Sequence, residues 1–311
     1  MSEMEFTKPF DISPSMSLAN VKLNVYDLER SLIFYHELLG FQLVGKSSDH
    51  TVFLSPTVSN NKNHLLQLSQ IDSTDTDTAN ETEQSIIRKA GLYHFAILLP
   101  SRIHLANIFK HLTENSNRLH FEGAADHGVS ESLYLRDPDS NGVEIYRDRP
   151  SSEWNRTGQF QLEMKTDHLN LKQLLKEAED QLEWHMPANT IIGHIHLRVS
   201  NLIKSSEFYS KILGLHHTCS YPGANFFAAD SYHHHIAINI WSGNDIASAD
   251  SNKLGLDHFS LNLKSNGNFD ELLRHIDRMK VRVLANDSDN VSKKSFTILD
   301  PDKIKIRIYY E

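Results

Sequence analysis

A single cysteine, Cys219, stands in the whole chain of 311 residues. No internal disulfide can form, which suits a reducing compartment. No apolar run approaches the roughly 18–20 residues that a membrane-spanning helix needs. The N-terminal stretch MSEMEFTKPFDISPSMS has no basic segment leading into an apolar one, so no secretory signal is expected and the cytoplasm is the expected location. Positive charge is also in deficit. Acidic residues outnumber basic ones 40 to 31, a formal net charge of −9, which gives no global electrostatic reason to bind nucleic acid or an anionic membrane. Neither G-x-G-x-x-G, a Walker loop nor G-x-S-x-G occurs, which removes the common dinucleotide, nucleotide and hydrolase signatures. What is abundant is histidine, with 19 residues. With 39% apolar residues the chain can bury ordinary cores, and its length predicts two domains.

An internal repeat organises the sequence. At an offset of 174 residues, Lys22 to Phe41 lies on His196 to Leu215 without a gap. Leu23, Val25, Ser31, Phe34, Tyr35, Leu39 and Gly40 then meet Leu197, Val199, Ser205, Phe208, Tyr209, Leu213 and Gly214. At a slightly smaller offset GLYHFAILL (91–99) matches GLDHFSLNL (255–263), and LRDPDSNGVEIY (135–146) matches ILDPDKIKIRIY (298–309). Residues 18–150 and 191–311 therefore read as duplicated domains, preceded by a tail over 1–17 and joined by a segment over 151–190.

Each half divides again into units at about 18–68, 91–147, 191–241 and 255–310. A unit opens with an alternating strand and continues as an amphipathic helix. Gly40 and Gly214 sit where a helix end needs a residue tolerant of positive φ. Three shorter strands follow, punctuated by turns such as Asp137 to Gly142. The polar stretch 71–84 reads as a loop, as does 243–253. The leucines at 169, 171, 174, 175 and 182 predict a linker helix over 167–184.

Four βαβββ units with histidines on opening strands, and D-P-D-x-N-G-x-E before a closing strand, resemble the vicinal oxygen chelate superfamily of glyoxalases, antibiotic-resistance binding proteins and extradiol dioxygenases. The segments GLYHFAILLP, HGVSESLYLRDPDSNGVEIYRDRP, IIGHIHLRVS and YHHHIAINIW are most similar to the two-domain catechol 2,3-dioxygenase branch. The resemblance implies an α+β fold whose units pair into open, barrel-like cups. It also implies metal ligands at one position on a unit's first strand and another on its last. The first-strand position is Asn20, His94, His194 or His258 in successive units. The last-strand position is Glu144 in unit two, Ala237 in unit three and Arg307 in unit four, with Gln67 a loose candidate in unit one. Glu311, four residues beyond Arg307, lies roughly 13 Å further along the strand and is too far to replace it.

Only units two and three complete a set: His94, His194 and Glu144, the two-histidine, one-carboxylate triad of non-haem Fe(II) oxygenases. A lone strand histidine is usually structural, and His258 is read that way because its repeat carries Arg307 in place of the carboxylate. His196 shares the face of His194 by period two but has no ligand role in the family. The resemblance further implies that Tyr134, ten residues before Glu144, and His127 hold oxygenated intermediates. A histidine at the start of the last strand of unit three would be the acid/base group. Strand parity favours His235, and a one-residue register error would exchange it for His234. The implied activity is extradiol cleavage of catechol or a substituted catechol by O₂ at Fe(II), with Mn(II), Zn(II) or Ni(II) as alternative metals. A homo-oligomer is compatible with it. Two rivals are a glyoxalase-type lyase or isomerase and a non-catalytic protein sequestering an aromatic drug. The first usually needs four protein ligands in this fold, and Ala237 in the fourth position argues against it.

Overall fold

The computed structural model describes residues 9–47, 50–58, 64–71, 88–180, 183–250, 253–290 and 293–310. Most of the loop expected over 71–84, Leu182 and Glu311 lie outside these residues. The four expected units are present. Unit one comprises β1 (Ser17–Val25), α1 (Leu28–Leu32, continuing as the π-helical Ile33–Leu38), β2 (Gln42–Ser47), β3 (Thr51–Ser55) and β4 (Leu66–Gln70). Unit two comprises β5 (Gly91–Leu98), α2 (Arg102–Glu114), β6 (His120–Asp126), β7 (Ser130–Arg136) and β8 (Gly142–Asp148). After the short β9 (Asp167–His168) and α3 (Leu171–Lys176), unit three runs through β10 (Ile191–Arg198), α4 (Leu202–Glu207, continuing as Phe208–Ile212), β11 (His216–Tyr221), β12 (Ala224–Ala228) and β13 (Ile236–Asn239). Unit four is β14 (Gly255–Asn262), α5 (Asn266–Arg278), β15 (Val283–Asn290), β16 (Lys293–Leu299) and β17 (Lys305–Tyr309).

Each unit helix starts at a polar cap. Asp27, Ser101, Asn201 and Ser265 each accept a bond from the backbone N–H three residues on, satisfying a donor the helix itself leaves free. Gly40 and Gly214 end α1 and α4 at φ of 82° and 73°. A Cβ at either would also stand within 2.8 Å of a neighbouring backbone atom, so both conformation and packing require glycine there. The linker helix is shorter than the leucine pattern predicts. Asn170 caps it, but the Glu179 N–H bonds to Asn107 on α2 at 2.8 Å, which draws the chain off the helical path.

The sheets cross the sequence halves. One sheet has the order β15-β16-β17-β14-β1-β4-β3-β2 and joins units four and one. The other, β11-β12-β13-β10-β5-β8-β7-β6-β9, joins units three and two. The antiparallel seams are β1 with β14 and β10 with β5. Each cup thus takes one unit from each repeat. Their outer apolar faces merge in a shared core that includes Leu23, Tyr35, Phe95, Ile195, Tyr209 and Phe259. Among the described residues no helix is long and apolar enough to cross a membrane.

Candidate metal centre

The cup of units two and three has its concave face lined by polar groups from four adjacent strands. β5 presents His94, β8 presents Glu144 and β10 presents His194, because β8 runs parallel to β5 with Ala96 opposite Glu144, while His194 pairs with Ala96 across the seam. Three side chains from separate strands thereby converge. Nε2 of His94 and Nε2 of His194 each stand 3.0 Å from the same Glu144 oxygen, Oε2. The three ligand atoms lie within 4.8 Å of one another, and all three residues are buried. It is the only such cluster among the described residues.

Electrostatics suit a divalent cation. Burial acts to raise the Glu144 carboxyl, but His194 and then His94 outweigh it and hold the group well below the usual carboxylate range. Burial pushes His194 down to about 4 against the pull of Glu144, so its imidazole is neutral and keeps a lone pair. A neutral His194 imidazole and a buried, ionised carboxylate, with His94 Nε2 beside them, form a donor set that a hard or borderline dication would fit. On the outer side, His194 Nδ1 has no hydrogen-bond partner among the described residues, so ring packing against Tyr146 and His234 and the contact with Glu144 orient this ring.

A cavity of about 350 Å³ opens over the cluster. Tyr134 sits on its wall, its ring centroid 5.7 Å from that of His94. His127 Nδ1 lies 2.8 Å from the Lys165 carbonyl, which only accepts, so that nitrogen carries the proton. His127 Nε2 is then the acceptor for the Tyr134 hydroxyl at 2.7 Å. Burial, with Glu144 nearby, pushes the Tyr134 phenol well above its usual range.

The histidine run divides differently from the parity argument. His234 lines the cavity, with its ring centroid 4.2 Å from that of His194. His235 turns away, and its Nδ1 accepts from the Ala229 N–H at 3.2 Å. The physical reason is that β13 begins only at Ile236, so period-two alternation does not reach back to residue 235. Ala237 is buried opposite His196 and offers no donor. His196 does reach the cavity, yet its Nε2 accepts from the Asn239 amide at 2.9 Å, which occupies the atom a metal would need.

Sequence reasoning missed an aromatic wall. Tyr93, Phe226 and Trp241 also line the cavity. Tyr93 neighbours His94 in sequence, and strict alternation would send it to the opposite face. The β5–β10 register jumps from His94–His196 to Leu92–Leu197, leaving Tyr93 unpaired in a bulge that turns it inward. No sequence signal marks that bulge, apart from its recurrence at Asp257 in the other cup.

Paired βαβββ cups define a protein of the vicinal oxygen chelate fold, and one cup holds a buried two-histidine, one-carboxylate cluster that could bind a metal ion. Residues 17–145 and 191–308 match the model of the Glyoxalase/Bleomycin resistance protein/Dioxygenase superfamily, and the chain belongs to that family. It is 38% identical over 282 residues to a protein of Bacillus subtilis (strain 168) named Catechol-2,3-dioxygenase, covering 90% of this chain and 92% of the relative. Among solved structures, a second Bacillus subtilis protein superposes with TM-score 0.62 at 10% identity, covering 97% of this chain and 86% of that one. A Zea mays glyoxalase I variant superposes with TM-score 0.53 at 17% identity, covering 95% and 92%. These distant structures share the fold.

Proposed function

We propose that this chain is an Fe(II)-dependent extradiol dioxygenase acting on catechol or a substituted catechol, with His94, His194 and Glu144 as the metal ligands. The observation that carries the reading is the convergence of three donor atoms at the floor of an aromatic-walled cavity. When bound, iron supplies the redox-active centre at which a ring diol and O₂ react, and a three-ligand site leaves positions for both. Catechol plus O₂ gives 2-hydroxymuconic semialdehyde with every atom accounted for. Mn(II), Zn(II) or Ni(II) would fit the same donors.

The chain's own groups divide the remaining work. Tyr93, Phe226 and Trp241 exclude water and pack against a planar ring. His234 faces the cavity beside His194 and takes the proton of one substrate hydroxyl, later returning it. Tyr134, its proton directed to His127, presents its phenol oxygen beside the ligands and orients a substrate oxygen. The single cysteine supports a cytoplasmic location. A four-ligand glyoxalase-type reading finds no fourth donor among the described residues, since Ala237 takes its place.

Anaerobic loading with Fe(II), followed by catechol and air, tests the reading. A yellow ring-opened product is expected, and iron-loaded protein that forms none from a panel of catechols would refute it. His234→Phe should retain iron and slow turnover by roughly 10²–10⁴-fold, the usual range for a lost acid/base group. His235→Phe should stay near wild type.

A further inference from the structure

Behind His234 runs a chain of buried polar groups that the metal centre does not use. His234 Nδ1 lies 2.8 Å from His233 Nδ1. His233 Nε2 lies 2.9 Å from Asp148 Oδ1, and the Tyr232 hydroxyl donates to Asp148 Oδ2 at 2.9 Å. The Tyr146 hydroxyl lies 2.8 Å from that of Tyr232. His233 is fully buried, while Asp148 keeps 25% of its side chain exposed at the end of β8. Gly193 makes room for this chain: a Cβ there would stand 1.8 Å from the Tyr146 hydroxyl.

The proton positions follow from the partners. A carboxylate only accepts, so His233 must present Nε2–H to Asp148. When that is the only proton on the ring, His233 has a bare Nδ1, and the close approach of two ring nitrogens is favourable only if His234 supplies Nδ1–H. That leaves His234 Nε2 unprotonated, and it is the ring's remaining nitrogen for the cavity. The reverse arrangement would set a bare His233 Nε2 against a carboxylate oxygen, lone pair to lone pair.

We infer that Asp148 is a positioning residue for the reaction: acting through His233, it locks His234 in the Nδ1–H tautomer and so keeps Nε2 ready to accept the substrate proton. This rests on the proposed dioxygenase reading only for the identity of that proton. The lock itself is a property of the protein with or without substrate. A carboxylate two hydrogen bonds away acts here as an orienting group behind a histidine base does elsewhere, by fixing a tautomer without itself touching substrate.

Asp148→Asn is the direct test, because an amide can donate where the carboxylate cannot and so permits the reversed chain. In protein labelled with ¹⁵N-histidine, with and without Zn(II), His234 should show a protonated Nδ1 and a bare Nε2, its signals assigned by their loss in His234→Gln. Asp148→Asn should shift His234 toward Nε2–H. In the iron-loaded enzyme it should lower kcat at least tenfold, with KM changed by no more than about twofold. Asp148→Glu should restore the wild-type tautomer and part of kcat. A wild-type His234 protonated at Nε2, or an Asn variant whose tautomer is unchanged, would overturn the inference. Since the tautomer is read without turnover, an enzyme that cleaves no catechol would refute the functional reading while leaving this one open to its own test.

Discussion

The paired units of the two cups share one strand order and the same registers at their seams, yet only one cup brings together three candidate metal ligands among the described residues. Where units two and three bring together His94, Glu144 and His194, the equivalent places in units four and one hold His258, Arg307 and Asn20. The equivalence is read from pairing: Ala96 opposite Glu144 corresponds to Ser260 opposite Arg307, and the His194–Ala96 pair corresponds to Asn20–Ser260. In the second cup the Asn20 side chain accepts from Ser260 and Arg307 donates to Ser295. The bulge recurs as well, but it turns in Asp257 in place of Tyr93. Burial alone would raise that carboxyl; His258, Lys22 and Lys305 outweigh it and hold it low. The buried carboxylate of that cup is already paired with lysines, whereas the ion-pair partners of Glu144 are the two histidines.

The residues the repeats share have a different task. Tyr35 on α1 donates to Asp137 in the turn before β8 at 2.7 Å, and Tyr209 on α4 donates to Asp300 in the turn before β17 at 2.9 Å. Each bond ties a helix of one cup to a turn of the other. Identity between repeats thus marks how units are joined, and divergence marks where chemistry sits.

Breaking the difference between the cups should have the largest effect. His94→Ala, His194→Ala or Glu144→Ala should each reduce bound metal to below roughly a tenth of wild type, since loss of even an outer partner can cost 10–100-fold in affinity. His258→Ala should leave metal content intact, and a result the other way round would assign the centre to the wrong cup. Elemental analysis of purified protein decides this.

A smaller effect should follow where the backbones approach. Gly142 pairs with His94, and a Cβ there would stand 2.1 Å from the Tyr93 carbonyl oxygen, whereas the equivalent partner of His258 is Lys305. Gly142→Ala should cost about 1–3 kcal/mol of stability, typical of overpacking, and Lys305→Ala less than about 1 kcal/mol. Urea unfolding measures both. If Gly142→Ala is silent, the approach of β8 to β5 is looser than described.

The shared joints should respond alike. Tyr35→Phe and Tyr209→Phe each remove one buried hydrogen bond to an aspartate and should each cost roughly 1–3 kcal/mol, within experimental error of one another. A large inequality would show that one joint carries the assembly.

The last expected effect is in pH dependence. Burial, followed by the neighbouring Asp139, raises Asp137 to about 6, and burial outweighs the bonds that Asp300 accepts and raises it to about 7. A carboxyl raised on folding contributes stability that is full below its unfolded value, near 4, and is lost as pH rises through the folded value. Asp300→Asn cannot ionise. The wild-type melting temperature should therefore fall relative to this variant between pH 5 and 8, and a constant difference would show that Asp300 titrates normally when folded.

The repeat arithmetic, glycine stops and apolar alternation made the four units legible, because these signals are local and depend on periods of 2 and 3.6 residues. The register of His94, Glu144 and His194 was also legible, since duplication places equivalent residues at fixed offsets. Other features depended on contacts between distant segments. Tyr93 enters the cavity through a bulge, His235 leaves it because β13 starts one residue later, and Asn107 ends the linker helix early. The link from Asp148 to His234 joins β8 to the start of β13 across 86 residues of sequence and required the assembled sheet. The sequence by itself determined which residue types recur and at what spacing. Tertiary structure decided which of them face one another, because pairing across β5 and β10 is set by long-range registry that no local period encodes.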